Sequence, residues 1–156
     1  MEARNELRDW LNNYRWINPF AITLTLKQRF NGIPLDKYIA QNQVRNFLNR
    51  ISTKIFGNNY KRRKQNLNRI ATAETAGRLH YHLFLDLPNY KLPDTKGLIK
   101  QNWNPKIIDF AYNKHKVEEI TSPTGWIKYI TKFKNENDEL DLTNTYLDPS
   151  NRHSIR

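Results

Sequence analysis

The chain has no cysteine, which excludes disulfide scaffolds, thiol nucleophiles and cysteine-ligated zinc. Any metal it binds must be held by nitrogen and oxygen. No apolar run approaches the ~20 residues needed to cross a bilayer, and the first residues are charged and include Trp10 instead of the apolar centre of a signal peptide. A soluble, intracellular protein is therefore expected. Acidic residues are also scarce, 15 against 26 Lys and Arg, for a net charge of +11. The shortage is uneven: residues 135–156 hold five acidic and two basic residues, so the first 134 carry 24 basic against 10 acidic, about +14. A field of that sign points to a polyanion partner with salt-dependent binding, and the Trp and Tyr residues interleaved with the charge offer stacking surfaces for unpaired bases.

With 156 residues, 38% of them hydrophobic and 12% aromatic, the chain suits one globular domain. We place that domain at residues 1–134, followed by an acidic, Asn-rich tail at 135–156 read as an arm or as disordered. Leu7, Trp10, Leu11 and Tyr14 have helical spacing within residues 2–15. Phe20, Ile22, Leu24 and Leu26 alternate with Ala21, Thr23 and Thr25 in a first strand, which Asn31-Gly32 and Pro34 end. Asp36 then caps an amphipathic helix through Val44, Phe47, Leu48, Ile51 and Ile55 that stops at Gly57. Its outer face carries Arg45, Arg50 and Lys54, and Lys61-Arg62-Arg63-Lys64 follows as a solvated loop, a localisation signal or a phosphate-contacting loop. Strands at 69–74 and 79–87, a helix near 95–103, a strand at 116–120 and a helix opened by Ser122-Pro123 complete the order. Strand, helix, strand, strand, helix, strand is the split βαβ plan: an α+β, ferredoxin-like or RRM-like antiparallel sheet with helices on one face and the other free for a ligand.

His80-Tyr81-His82 is the most informative stretch, because strand alternation points both imidazoles to one face while Leu79, Tyr81, Leu83, Leu85 and Leu87 fill the other. Glu74 has the same parity but lies about 20 Å from His80 on a straight strand. A three-residue turn at Ala76-Gly77-Arg78 would pair Glu74 with His80 and set it diagonal to His82. Two imidazoles and a carboxylate can hold a divalent ion with positions left open. Asp86, Glu118 and Glu119 are alternative third ligands. In the helix after Pro123, Trp126, Ile127, Ile130 and Phe133 form an apolar arc, with Tyr129 at its edge and Lys132 three residues on. That places a phenol nucleophile beside a cation able to support developing phosphate charge.

Together these residues resemble the HUH endonucleases, in particular the single-tyrosine Rep proteins that start rolling-circle replication. Phe20-Ala21-Ile22-Thr23-Leu24-Thr25-Leu26 is similar to the family's first-strand motif, His80-Tyr81-His82 to its two-histidine motif and Tyr129-Ile130-Thr131-Lys132 to its YxxK motif, over roughly residues 16–134. The resemblance implies nicking and joining of single-stranded DNA or a hairpin origin through a 5′-phosphotyrosine on Tyr129, assisted by Lys132 and by Mn2+ or Mg2+ on Glu74, His80 and His82. The implied DNA contacts are Arg45, Arg50, Lys54, Lys61, Arg62, Arg63, Lys64, Arg78 and Lys128. The expected setting is the cytoplasm of a bacterial or archaeal host, or the nucleus for a eukaryotic virus. No second tyrosine lies four residues from Tyr129 and no ATPase motif follows, so a separate helicase is implied. A single-tyrosine transposase or relaxase shares this chemistry. A non-catalytic RRM-like module is the alternative of another class, although the aromatic RRM motif is missing.

Overall fold

The computed structural model of the protein describes residues 2–30, 32–63, 65–75, 77–103 and 116–151. Alternation in Pro19–Thr25 (β1), Arg69–Glu74 (β4) and His80–Asp86 (β5) divides each strand between two faces. With Lys116–Glu119 (β6) and Glu139–Leu140 (β7) they form a five-stranded antiparallel sheet in the order β6-β1-β5-β4-β7. A two-residue hairpin, Arg29–Phe30 (β2) with Ile33–Pro34 (β3), stands apart from it. The first four strands of the order are those of the ferredoxin-like plan, as the element sequence predicted.

One face carries Phe20, Ile22, Leu24, Ala71, Ala73, Tyr81, Leu83 and Leu85. It is covered by two helices, Lys37–Phe56 (α2) and Leu92–Asn102 (α4), through Val44, Phe47, Leu48, Ile51, Leu98 and Ile99. Asp36 caps α2 by accepting from the Ile39 amide at 2.7 Å, and Gly57 ends it at φ +56°. The expected start of α4 at residue 95 is three residues late. Pro93 falls in the first turn, where a missing N–H costs nothing, and Asp94 accepts from the Lys91 amide.

The opposite face is not left bare along its whole length. Its row Ala21, Phe84 and Ile70 lies under Leu11 of Glu2–Asn12 (α1) and Ile127 and Ile130 of Pro123–Ile130 (α5). The next two rows, Thr23–His82–Thr72 and Thr25–His80–Glu74, are polar; His82 and Thr72 are buried, and the row of Thr25, His80 and Glu74 is half-buried.

The described part of the segment expected to be an arm or disordered, residues 135–151, packs along the edge of the sheet. Leu140 and Glu139 pair with Thr72 and Ala73, and Tyr146 bridges Arg69. Two of its carboxylates are buried for stated reasons. Asp141 accepts from the Tyr81 hydroxyl at 2.9 Å and from Gln41 at 2.9 Å, and Asp138 accepts from the Thr75 amide and hydroxyl at 2.7 and 2.9 Å. Buried acceptors of this kind stabilise only because each has a donor. The described chain contains no helix long and apolar enough to cross a membrane.

Candidate metal and tyrosine site

The β4–β5 hairpin has the register that the turn argument required: Glu74 opposite His80 and Thr72 opposite His82. Gly77 takes φ +72°, a left-handed conformation that costs a residue with a Cβ. Ala76 lies outside the described residues. Gln28 pins the returning strand by accepting from the Leu79 amide at 3.1 Å and donating to the Leu26 carbonyl at 2.7 Å.

Glu74 Oε2 stands 3.2 Å from His80 Nε2 and 2.7 Å from His82 Nε2. His80 Nδ1 lies 2.9 Å from the Arg78 carbonyl, an acceptor to which it can donate, and that tautomer frees Nε2 for a metal. His82 Nδ1 meets the Thr23 hydroxyl at 3.3 Å. A carbonyl or hydroxyl behind each imidazole is the outer support that orients metal-binding histidines. The inward atoms of all three residues lie within 4.8 Å of one another, so a shared cation could take the place of the imidazole-to-carboxylate hydrogen bonds. Cis ligands ~2.1 Å from an octahedral ion are about 3 Å apart, which matches both Glu74 distances. Burial dominates at His82 and, against the opposing hydrogen bond to Glu74, lowers its affinity for protons, favouring the neutral form that ligates metal. Glu74, His80 and His82 can therefore hold a metal ion.

The alternative third ligands are elsewhere. Asp86 sits at the far end of β5, where its carboxylate accepts from the Ile17 and Asn18 amides at 3.1 and 2.7 Å. Glu118 and Glu119 pair with Ala21 and Phe20 on the outer side of β1, away from both histidines. Among the described residues, only Glu74, His80 and His82 form a three-ligand group.

Tyr129 joins this cluster from α5. Its ring is 46% exposed and meets His82 edge-on, with centroids 5.5 Å apart, while Trp126 supports it from behind at 5.4 Å. The helix ends at Ile130, so Lys132 lies just past it and not on it. Its Nζ sits 4.3 Å from the Tyr129 ring centroid, a cation over an aromatic face. Tyr81 points away from the site, buried among the α2-side core, and Tyr146 belongs to the C-terminal segment. Tyr112 lies outside the described residues.

Three contributors escaped the sequence reading. Arg8 of α1 donates from Nε to the Thr131 hydroxyl at 2.8 Å and from Nη2 to the Lys128 and Thr131 carbonyls at 3.3 Å, satisfying the end of the helix that carries Tyr129. Thr23 backs His82. Lys134 lines a polar hollow of about 50 Å3 with Glu74, Tyr129, Lys132, Asp138 and Thr72, whose buried hydroxyl has no partner among the described residues. Alternation alone places Thr23 on the histidine face, but nothing local in the sequence pairs Arg8 with a helix 120 residues away.

The expected DNA contacts divide into two groups. Lys128 is exposed on α5 near Tyr129, and Arg78 stands at the hairpin turn, donating to the Leu26 carbonyl at 3.4 Å. Arg45, Arg50 and Lys54 lie on α2, behind the sheet, with Lys61 and Arg62 in a single helical turn, Asn59–Arg62 (α3), and Arg63 after it. The sheet separates this second group from the metal ligands. Lys64 lies outside the described residues.

No family model, curated protein or solved structure matches the chain.

Proposed function

We propose that the protein is a metal-dependent nicking and joining enzyme for single-stranded DNA that acts through a 5′-phosphotyrosine on Tyr129 and initiates rolling-circle replication at a hairpin or unpaired origin. The observation that carries this reading is the 5.5 Å approach of an exposed tyrosine ring to His82, itself one of three convergent metal ligands. A buried, structural tyrosine would not be presented to a strand in this way.

The HUH resemblance implies Mn2+ or Mg2+ at one carboxylate and two imidazoles, a donor set that also suits other divalent transition metals, with open positions for water or phosphate oxygens. A bound ion would supply Lewis acidity at the scissile phosphate. Glu74, His80 and His82 hold that acidity in place, backed by Thr23 and the Arg78 carbonyl. Tyr129 Oη attacks phosphorus in line, the bond to the 3′ oxygen breaks, the 3′ oxygen takes a proton and the phenol proton passes to solvent. The phosphodiester bond is exchanged and not hydrolysed, so the reverse attack by a 3′ hydroxyl rejoins strands. Lys132 and Lys134, at the hollow beside Glu74, are cations available where charge develops on phosphate.

The test is incubation of the protein with a pool of labelled single-stranded and hairpin oligonucleotides and Mn2+, followed by denaturing electrophoresis. A detergent-stable protein-DNA species that disappears with chelator is expected. Tight binding without any such species would instead favour a non-catalytic RRM-like module.

A further inference from the structure

Behind the sheet, where the C-terminal half of α2, α3, the end of α4 and the C-terminal segment meet, lies an open cleft of about 970 Å3. It is near the upper end of the ~300–1,000 Å3 typical of ligand sites. Its charged lining is of one sign: Arg50, Lys54 and Lys61, with no acidic residue among its described lining residues. Two tyrosines, Tyr60 and Tyr146, share the wall with side-chain amides such as Asn49 and Gln65. Several of these groups are fixed in advance. Arg50 donates from Nε and Nη2 to the Asn102 carbonyl at 3.0 and 2.8 Å, and the Tyr60 hydroxyl donates to Asn49 Oδ1 at 2.6 Å. A second hollow of about 320 Å3 shares Gln65 and Asn66 with the first but is lined by Ile55, Phe56 and Tyr90 together with Asp86 and Asp148, so the one-sign positive lining is confined to the first.

We infer that this cleft is a second nucleic-acid site, which takes a short unpaired segment with phosphates on Arg50, Lys54 and Lys61 and a base against Tyr60. One fixed guanidinium, two exposed lysines, ring faces and amide groups in one concavity match the components of an unpaired strand, whose bases are free to reach the rings. In a duplex the bases are stacked internally and only the phosphates would engage. The site is distinct from the tyrosine face. Tyr146 pairs with Arg69, five residues along β4 from Glu74 and so roughly 17 Å away, and α2 covers the sheet face opposite the histidines. The inference rests on the cleft's own residues and stands apart from the proposed nuclease activity.

The test is fluorescence anisotropy with a labelled oligothymidylate, titrated with salt in the presence of chelator so that no metal-dependent chemistry contributes. Lys54 and Lys61 are exposed, and the Lys54→Ala/Lys61→Ala protein should fold normally, bind more weakly and lose about 1.4 from the magnitude of its log-log salt slope, two contacts at ~0.7 each. Tyr60→Leu should weaken binding at least about fivefold while Tyr60→Phe, which keeps the ring, stays near the parent. An unchanged salt slope in the double variant would overturn the proposal. So would equal affinities for Tyr60→Leu and Tyr60→Phe, or duplex competing as well as single strand. Adduct formation at Tyr129 can fail without altering any of these readings.

Discussion

Glu74 Oε2 lies 2.7 Å from His82 Nε2 although eight residues separate them, because Gly77 turns the chain back in a left-handed conformation between β4 and β5. Glu74→Ala should therefore lower metal affinity by at least tenfold, and His80→Ala with His82→Ala should abolish metal-dependent cleavage. Much of the charge-driven DNA binding should remain in both. Isothermal titration with Mn2+ measures the first effect and a nicking assay the second. Metal affinity unchanged in Glu74→Ala would remove Glu74 from the site.

Gly77→Ala tests the same geometry from the backbone side. Nothing lies within 4 Å of a Cβ there, so the cost comes from φ +72° alone, about 1 kcal/mol, with a shifted Glu74 and weaker metal binding. Denaturant unfolding and metal titration of the variant check both effects.

Much of this hairpin was legible from residues because its signals are local. Alternation set the faces, glycine set the turn, and parity placed Glu74 with the histidines. The caps at Asp36 and Gly57 were legible for the same reason. The tail was not, because Asp138 and Asp141 read as solvated charges until Thr75, Tyr81 and Gln41 are brought to them by the fold. Nor could one sequence show that α2 and the metal ligands occupy opposite faces. Arg45, Arg50 and Lys54 of α2, expected from the charge pattern to contact DNA, therefore lie on the other side of the sheet from Tyr129.

Arg8 acts on Tyr129 from a distance. Arg8→Ala should cost about 1.5–3 kcal/mol by leaving the last carbonyls of α5 without their charged donor. It should also slow adduct formation more than it weakens DNA binding, with partial recovery in Arg8→Lys. Equal losses of rate and binding would make Arg8 purely structural.

Burial works against the Asp138 carboxylate, but hydrogen bonds from Thr75 and Asn135 outweigh it and hold its carboxyl below the usual range. A lowered carboxyl contributes stability above its unfolded value, ~3.9, and loses it as pH falls through the folded value. Asp138→Asn should thus be less stable than the parent at neutral pH, and the gap should narrow on acidification below about pH 4. Denaturant unfolding of both proteins measures it. A gap independent of pH would mean that the Asp138 charge contributes nothing to stability.

Lys132→Ala should slow adduct formation by about a hundredfold, on the order of 3 kcal/mol, with little change in binding. An unchanged rate would reduce Lys132 to a cover for the Tyr129 ring.

The most direct test of the account is mass spectrometry of the protease-digested adduct formed with single-stranded DNA and Mn2+. The predicted result is a 5′-phosphorylated nucleotide on the peptide containing Tyr129, absent in Tyr129→Phe and in the presence of chelator. A nucleotide on any other residue, or an adduct that persists in Tyr129→Phe, would contradict it.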